Sequence, residues 1–358
     1  MTRLSWQKII FSRGRVKKHI NFQFKGMTVE VVSDYVYLGV LFNFNNSFTK
    51  AIDRQLTLGR KALFSMLTKI QPLNLPIDLQ LSLFDKLVVP VLTYGCEVWG
   101  YSNLSKIELF HRKFLKNLLK ISRYTANPMT YGETGRTSLD CLIFSRMLSF
   151  WFRLKHGNPN KISTTVFNLA KTMFNSNSFQ SKWCMKISEV LNNLGLSYFW
   201  NAENINYRVF KKEIKQKLQD INMQTWSSQL TDNRLCINYM IFKTELKMEP
   251  FLTILDDQLR ILFSKFRCGN HHLPISMQRF ELIDERNSCP FGCLDVGDEY
   301  HFVLVCPAFM SYRELYVDKY YFNRPNTLKF SKLMNIRRKD KLVKLCKFVK
   351  FIMYVFRK

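Results

Sequence analysis

Acidic side chains are scarce in this chain. Twenty-seven Asp and Glu stand against 54 Lys and Arg in 358 residues, a net charge of +27. That excess points to a polyanionic partner, nucleic acid (RNA, DNA or a hybrid duplex) before a membrane surface. Part of it has a blander source, because the chain is also rich in Phe, Asn and Ile, as AT-rich coding DNA would make it. Long hydrophobic runs are missing. No stretch reaches the roughly 18 apolar residues of a membrane span. The most apolar candidate, "LVVPVLTYGC", is short and contains Pro90. The apolar run near the N-terminus is too short for a signal peptide. Cysteines are few: nine, scattered, with one cluster. That pattern speaks against a disulfide scaffold and for a reduced intracellular setting, nuclear or cytoplasmic.

The marks of a catalytic centre are also missing. Two-metal phosphoryl transfer needs clustered carboxylates, whereas in the first 140 positions Glu30, Asp34, Asp53, Asp78, Asp85, Glu97, Glu108, Glu133 and Asp140 are dispersed. There is no glycine loop to cradle a phosphate, no Ser/His/Asp arrangement and no internal repeat. No small-molecule substrate is evident. Asp256-Asp257 reads as the solvent face of a helix, and Cys96 as a packed cysteine at a helix end.

What is present divides by period. In residues 8–44 the spacing predicts strands: Ile20, Phe22 and Phe24 alternate with polar residues after a basic turn, "SRGRVKK". Lys25-Gly26 turns the chain into "MTVEVV", and "YVYLGVLF" reads as a third strand, with Gly39 marking a bulge or a close backbone approach. From Asn46 the period becomes helical. Phe48, Ile52, Leu63, Leu67 and Ile70 share a stripe after Ser47 as cap, and Lys50, Arg54 and Lys61 share one side. Pro72 and Pro76 end that helix, and the next is interrupted at Pro90. Ser105 and Glu108 form a capping-box pattern. The helix they open carries Ile107, Phe110, Phe114, Leu118 and Ile121 on one face and Lys113, Lys116, Lys120 and Arg123 on another. Residues 124–140 read as a loop, and further helices fill 141–265. A basic amphipathic helix with Leu342, Leu345, Val349 and Ile352 closes the chain.

The one cluster is "CPFGCLDVGDEYHFVLVCP", with Cys289, Cys293, His301 and Cys306 as candidate ligands. Two cysteines across a tight turn pinch an ion from two sides, and a second His/Cys pair completes a tetrahedron. Soft thiolates with one imidazole suit a structural Zn²⁺, and four protein ligands leave no position open for catalysis. The competing account is three buried free cysteines and a core histidine among Phe302, Val303 and Val305. Cys268, His271 and His272 stand nearby as lesser candidates.

Taken in order, "VYLGVLF", "LVVPVLTYGCEVWG", "YGETGR", "LSKFRCGNHHLPISMQRF" and the cysteine/histidine words resemble the C-terminal half of the reverse-transcriptase polyprotein of non-LTR (LINE-type) retrotransposons. The likeness covers most of 1–155 and 255–315. It implies that "QKIIFSRGR" is a palm-edge strand, and that "YVYLGVLF" is the primer grip, with Tyr37, Leu38 and Gly39 at its core. It also implies that residues 47–123 are a thumb holding template–primer, and that the four candidate ligands belong to a zinc-finger-like module. In that family the catalytic Asp-Asp lies upstream of the point where this sequence starts. The expectation is a truncated element that grips nucleic acid without polymerase chemistry; Mg²⁺ would enter only with the catalytic palm. Two alternatives stay open: part of an active RNA-directed DNA polymerase, and a poorly folding relic.

The expected fold is mainly α with a small N-terminal antiparallel sheet. Its parts are palm-edge and primer-grip strands (1–45), a thumb-like helical bundle (46–155) and a helical connector (156–265). A zinc-finger-like module (266–320) and a basic amphipathic tail (321–358) follow. The expected nucleic-acid contacts are Tyr37, Gly39, Lys50, Arg54, Lys61, Lys113, Lys116, Lys120 and Arg123.

Overall fold

A computed structural model describes residues 7–11, 22–179, 181–277 and 288–357. Among the described residues the chain is mainly helical, with its strands near the N-terminus: β1 (Gln7–Ile9), β2 (Gln23–Phe24), β3 (Met27–Thr28), β4 (Glu30–Val32), β5 (Asp34–Tyr37) and β6 (Val40–Asn43). They form three two-stranded ladders. β2–β3 and β5–β6 are antiparallel, and β1–β4 is parallel, with Gln7 opposite Glu30. Lys25 and Gly26 make the expected turn with φ of 50° and 75°, the left-handed pair that suits a two-residue hairpin. The basic turn at 12–18 and Ile20 lie outside the described residues.

The single strand expected over "YVYLGVLF" is instead a second hairpin. Leu38 and Gly39 turn the chain with φ of 46° and 82°, and Asp34 pairs with Asn43. The close approach expected at Gly39 is present: a Cβ there would sit 2.8 Å from the Tyr94 ring. Tyr94 Oη in turn donates to Leu38 O at 2.9 Å.

The helices are α1 (Thr49–Ile70), α2 (Ile77–Leu83), α3 (Val89–Leu92), α4 (Cys96–Trp99), α5 (Ser105–Leu119), α6 (Asn127–Thr134), α7 (Leu139–Lys155), α8 (Ile162–Asn175) and α9 (Lys182–Asn193). They continue with α10 (Tyr207–Thr231), α11 (Ile237–Phe242), α12 (Phe251–Ile254), α13 (Asp257–Arg267), α14 (Pro274–Met277), α15 (Met310–Tyr316), α16 (Lys319–Phe322), α17 (Thr327–Met334) and α18 (Lys339–Val355). Among the described residues no helix is long and apolar enough to cross a membrane.

Two compact units result. The first is Met1–Leu75, Gln80–Phe110 and Ser138–Gln219; the second is Pro76–Leu79, His111–Thr137 and Asp220–Lys358.

In the first unit α1 buries Ala51, Ile52, Leu56, Gly59 and Met66. The stripe turns one residue away from the expected one, so Leu67 is 40% exposed. Gly59 lets α1 approach α3, since a Cβ there would meet Leu92 Cδ2 at 2.2 Å. Between α2 and α3 the chain makes a π turn, Phe84–Val88, just ahead of Pro90. That wider turn accommodates a residue with no N–H to give. Glu108 does not cap its own helix: Asn103 accepts the Ser105 N–H, and Glu108 takes Ser138 Oγ and the Leu139 N–H at 3.0 and 2.8 Å. Its carboxylate therefore serves the start of α7. Trp151 stacks on Trp200 with ring centroids 5.9 Å apart, and Lys155 Nζ gathers the carbonyls of Phe199, Trp200 and Ala202.

In the second unit the segment expected as a loop, 124–140, contains α6. Its Pro128, Met129, Thr130, Tyr131, Glu133 and Thr134 are all buried. Gly132 lies under Tyr239, where a Cβ would come within 2.4 Å of the hydroxyl, and Trp226 Nε1 donates to Pro128 O at 2.8 Å. The expected tail helix is α18. Leu342, Leu345, Val349 and Ile352 are buried as the stripe implied, and Phe356 just beyond it packs on Phe302 at 4.7 Å.

Candidate metal centre

The four candidate ligands arrive on two short pieces of the second unit. Cys289 and Cys293 flank a turn in which Gly292 takes φ of 85°. The Cys289 N–H donates to Asp295 O at 3.0 Å, and a bridge between Ser288 and Val296 closes the base of the turn. His301 opens a π turn, His301–Val305, and Asp298 Oδ1 accepts the His301 N–H at 2.8 Å. The Cys306 N–H returns to His301 O at 2.8 Å, which folds the second pair together.

One ligand atom from each of Cys289, Cys293, His301 and Cys306 lies within 4.8 Å of all the others. Cys289 and Cys306 sulfurs are 3.7 Å apart, and Cys293 and Cys306 sulfurs 3.9 Å. The imidazole is 2% exposed, yet neither ring nitrogen has a hydrogen-bond partner. A buried imidazole nitrogen without a hydrogen bond is costly unless something else accepts its lone pair. Nδ1 lies 3.4 Å from the Asp295 carboxylate, placed to orient the ring. Burial holds His301 below its usual pKa, which keeps a lone pair free, and burial pushes the Cys306 thiol up to about 12. A cation entering here displaces thiol protons. The cluster can therefore hold a metal ion, and among the described residues it is the one such group of three or more His, Cys, Asp or Glu side chains.

The surroundings brace it. Arg313 is 1% exposed and gives its guanidinium to the carbonyls of Phe302, Val303 and Cys306 at 3.2, 2.8 and 2.8 Å. His271 is not a ligand: its Nε2 meets Glu299 Oε1 at 2.7 Å, and Asn238 ties both Glu299 and Asp298. Cys268 is a buried residue at the end of α13, and His272 is exposed.

The residues expected to contact phosphate fall into two groups in different units. In the first unit Lys50 is ion-paired with Asp34 at 2.7 Å, and Arg54 donates to Gly39 O at 2.9 Å. Both brace the second hairpin, which leaves Tyr37 59% exposed; Lys61 is exposed. In the second unit Lys113, Lys120 and Arg123 are exposed. Lys116 is a correction. It is 8% exposed, and its Nζ donates to Arg123 O and Thr125 O at 2.9 and 2.6 Å. The chain turns past α5, with Lys120 at φ of 55°, and folds those carbonyls over Lys116. It holds the turn instead of facing solvent.

Sequence reasoning missed a buried charge network. Arg267 Nε and Nη2 reach Glu133 at 3.0–3.1 Å, Nη2 meets Glu249 Oε2 at 3.1 Å, and Nη1 donates to Met334 O at 2.8 Å. Lys243 pairs with Glu249 as well. Glu133 and Arg267 side chains are both 0% exposed. Burial pushes the Glu133 carboxyl up, and the guanidinium on it opposes that push; Arg267 is held charged by its two carboxylates. The only signal was Glu133 within "YGETGR", a word that carries nothing about its distant partner.

No family profile, curated protein or solved structure matches this chain.

Proposed function

We propose that this protein binds nucleic acid, and that its cysteine/histidine cluster holds one structural Zn²⁺. The sulfur spacing carries the zinc assignment. Thiolates about 2.3 Å from Zn²⁺ at tetrahedral angles lie about 3.8 Å from one another, and two of the sulfur pairs here stand at 3.7 and 3.9 Å. Three soft sulfurs and one neutral imidazole are the donors zinc prefers, and four of them close the site to substrate.

The nucleic-acid partner is supported by the charge of +27 and by the ordered words that resemble LINE-type reverse transcriptases. On that reading the second hairpin is the primer-grip-like element and α1–α5 are thumb-like. Lys61, Lys113, Lys120 and Arg123 are the exposed cations available for phosphate contact; Lys50 and Arg54 position the hairpin.

The test is binding to an RNA–DNA hybrid across a salt series. Log K falls linearly with log salt, and replacing Lys113, Lys120 and Arg123 by Gln flattens the slope by about one unit per lost contact. Lys116→Met leaves the slope unchanged. Salt-independent binding, or none, contradicts the reading.

A further inference from the structure

The strongest unassigned feature is the start of α10. Arg208, Lys211, Lys212 and Lys215 follow the i, i+3, i+4, i+7 spacing of one helix face, and all four are exposed. None has an ion-pair or hydrogen-bond partner for its side-chain charge among the described residues. The one acid in this stretch, Glu213, is engaged elsewhere, accepting Tyr198 Oη at 2.6 Å. On the other side of the helix Phe210, Ile214 and Leu218 are buried.

The arrangement opposes helix stability. Residues three and four apart are neighbours on a helix, so the four cations repel pairwise. The first turn of α10 also carries no acid. We infer that Arg208, Lys211, Lys212 and Lys215 form a second phosphate-contact surface that tracks a nucleic-acid backbone. The inference rests on the proposed nucleic-acid function and extends it into a segment that neither the motif words nor the expected contacts include.

The stripe spans about 10 Å along the helix axis. Over that length a duplex presents about six phosphates, counting both strands. A membrane surface is the poorer fit. A basic helix that lies in the interface must insert an apolar face; Phe210, Ile214 and Leu218 are already buried in core, which leaves only Tyr207 and Val209 exposed at this end of α10.

The test uses the full chain with Lys211, Lys212 and Lys215 replaced by Gln, and an RNA–DNA hybrid in a KCl series. The expected result is a slope of log K against log salt reduced by about two to three units. In parallel, bound hybrid should protect these three lysines of the wild-type chain from acetylation, which tests the surface even if the variant fails to fold. An unchanged slope together with unprotected lysines overturns the α10 surface and leaves the nucleic-acid function standing. A wild-type chain that ignores the hybrid overturns both. Binding to phosphatidylserine vesicles without binding to the hybrid overturns both in favour of a membrane surface.

Discussion

Replacing Glu133 by Gln probes the least expected part of the structure. The buried network contains two cations, Arg267 and Lys243, and two carboxylates, Glu133 and Glu249. Gln keeps the shape of the side chain and removes one charge, so a buried positive charge is left unbalanced. Breaking a buried pair on one side costs about 3–5 kcal/mol, a factor of hundreds to thousands in the folded population. The exposed pair Lys106–Asp53, with side chains 55% and 49% exposed, is the control; pairs of that kind contribute about 0–1 kcal/mol. Native-state hydrogen exchange at α6 and α13 measures the loss where it occurs, whatever the rest of the chain does. Glu133→Gln should accelerate exchange there strongly, and Asp53→Asn should not. Replacing Glu133 and Arg267 together by Leu and Met leaves Glu249 and Lys243 balanced, so the double variant loses less than the sum of the two single ones. A Glu133→Gln effect no larger than that of Asp53→Asn would refute the view that this network is charged and integral to the second unit.

Two further substitutions test local claims. Arg313→Met keeps the buried stem but removes the guanidinium from three carbonyls, of which Cys306 O keeps the Phe309 N–H; a loss of at least about 2 kcal/mol is expected, read as faster exchange at residues 301–306 and weaker metal retention. Gly39→Ala and Gly26→Ala both place a side chain at positive φ, but only the former meets the Tyr94 ring. Gly26→Ala should cost about 1 kcal/mol and Gly39→Ala measurably more in thermal unfolding; equal losses would show that the Tyr94 contact is unimportant.

The elements legible in the sequence were those specified locally. Lys25-Gly26 announces its turn, the stripe of α18 announces its buried face, and the cysteine/histidine spacing announces a cluster that the fold does bring together. The rest depended on distant partners. α6 is written in Pro, Thr and Gly, a loop composition, and is helical because its residues are buried around Tyr239 and Trp226. Leu38 gives no hint of a left-handed turn; it occupies one beside Gly39, under a hydrogen bond from Tyr94. The Ser105/Glu108 spacing matched a capping box, yet Glu108 caps a helix 31 residues on. Helical spacing put Lys116 beside Lys113 and Lys120 but held no information about the turn that folds over it.

Metal content tests the proposed zinc site most directly. Inductively coupled plasma mass spectrometry on chain purified without added metal should find close to one zinc per chain. Cys293→Ser should find almost none, since Cys293 is the least buried of the three sulfur ligands and its replacement disturbs little else. With the metal lost, residues 288–310 should become open to protease while helix content changes little. Wild-type chain free of metal, with residues 288–310 still resistant, would contradict the account and make these four residues ordinary core.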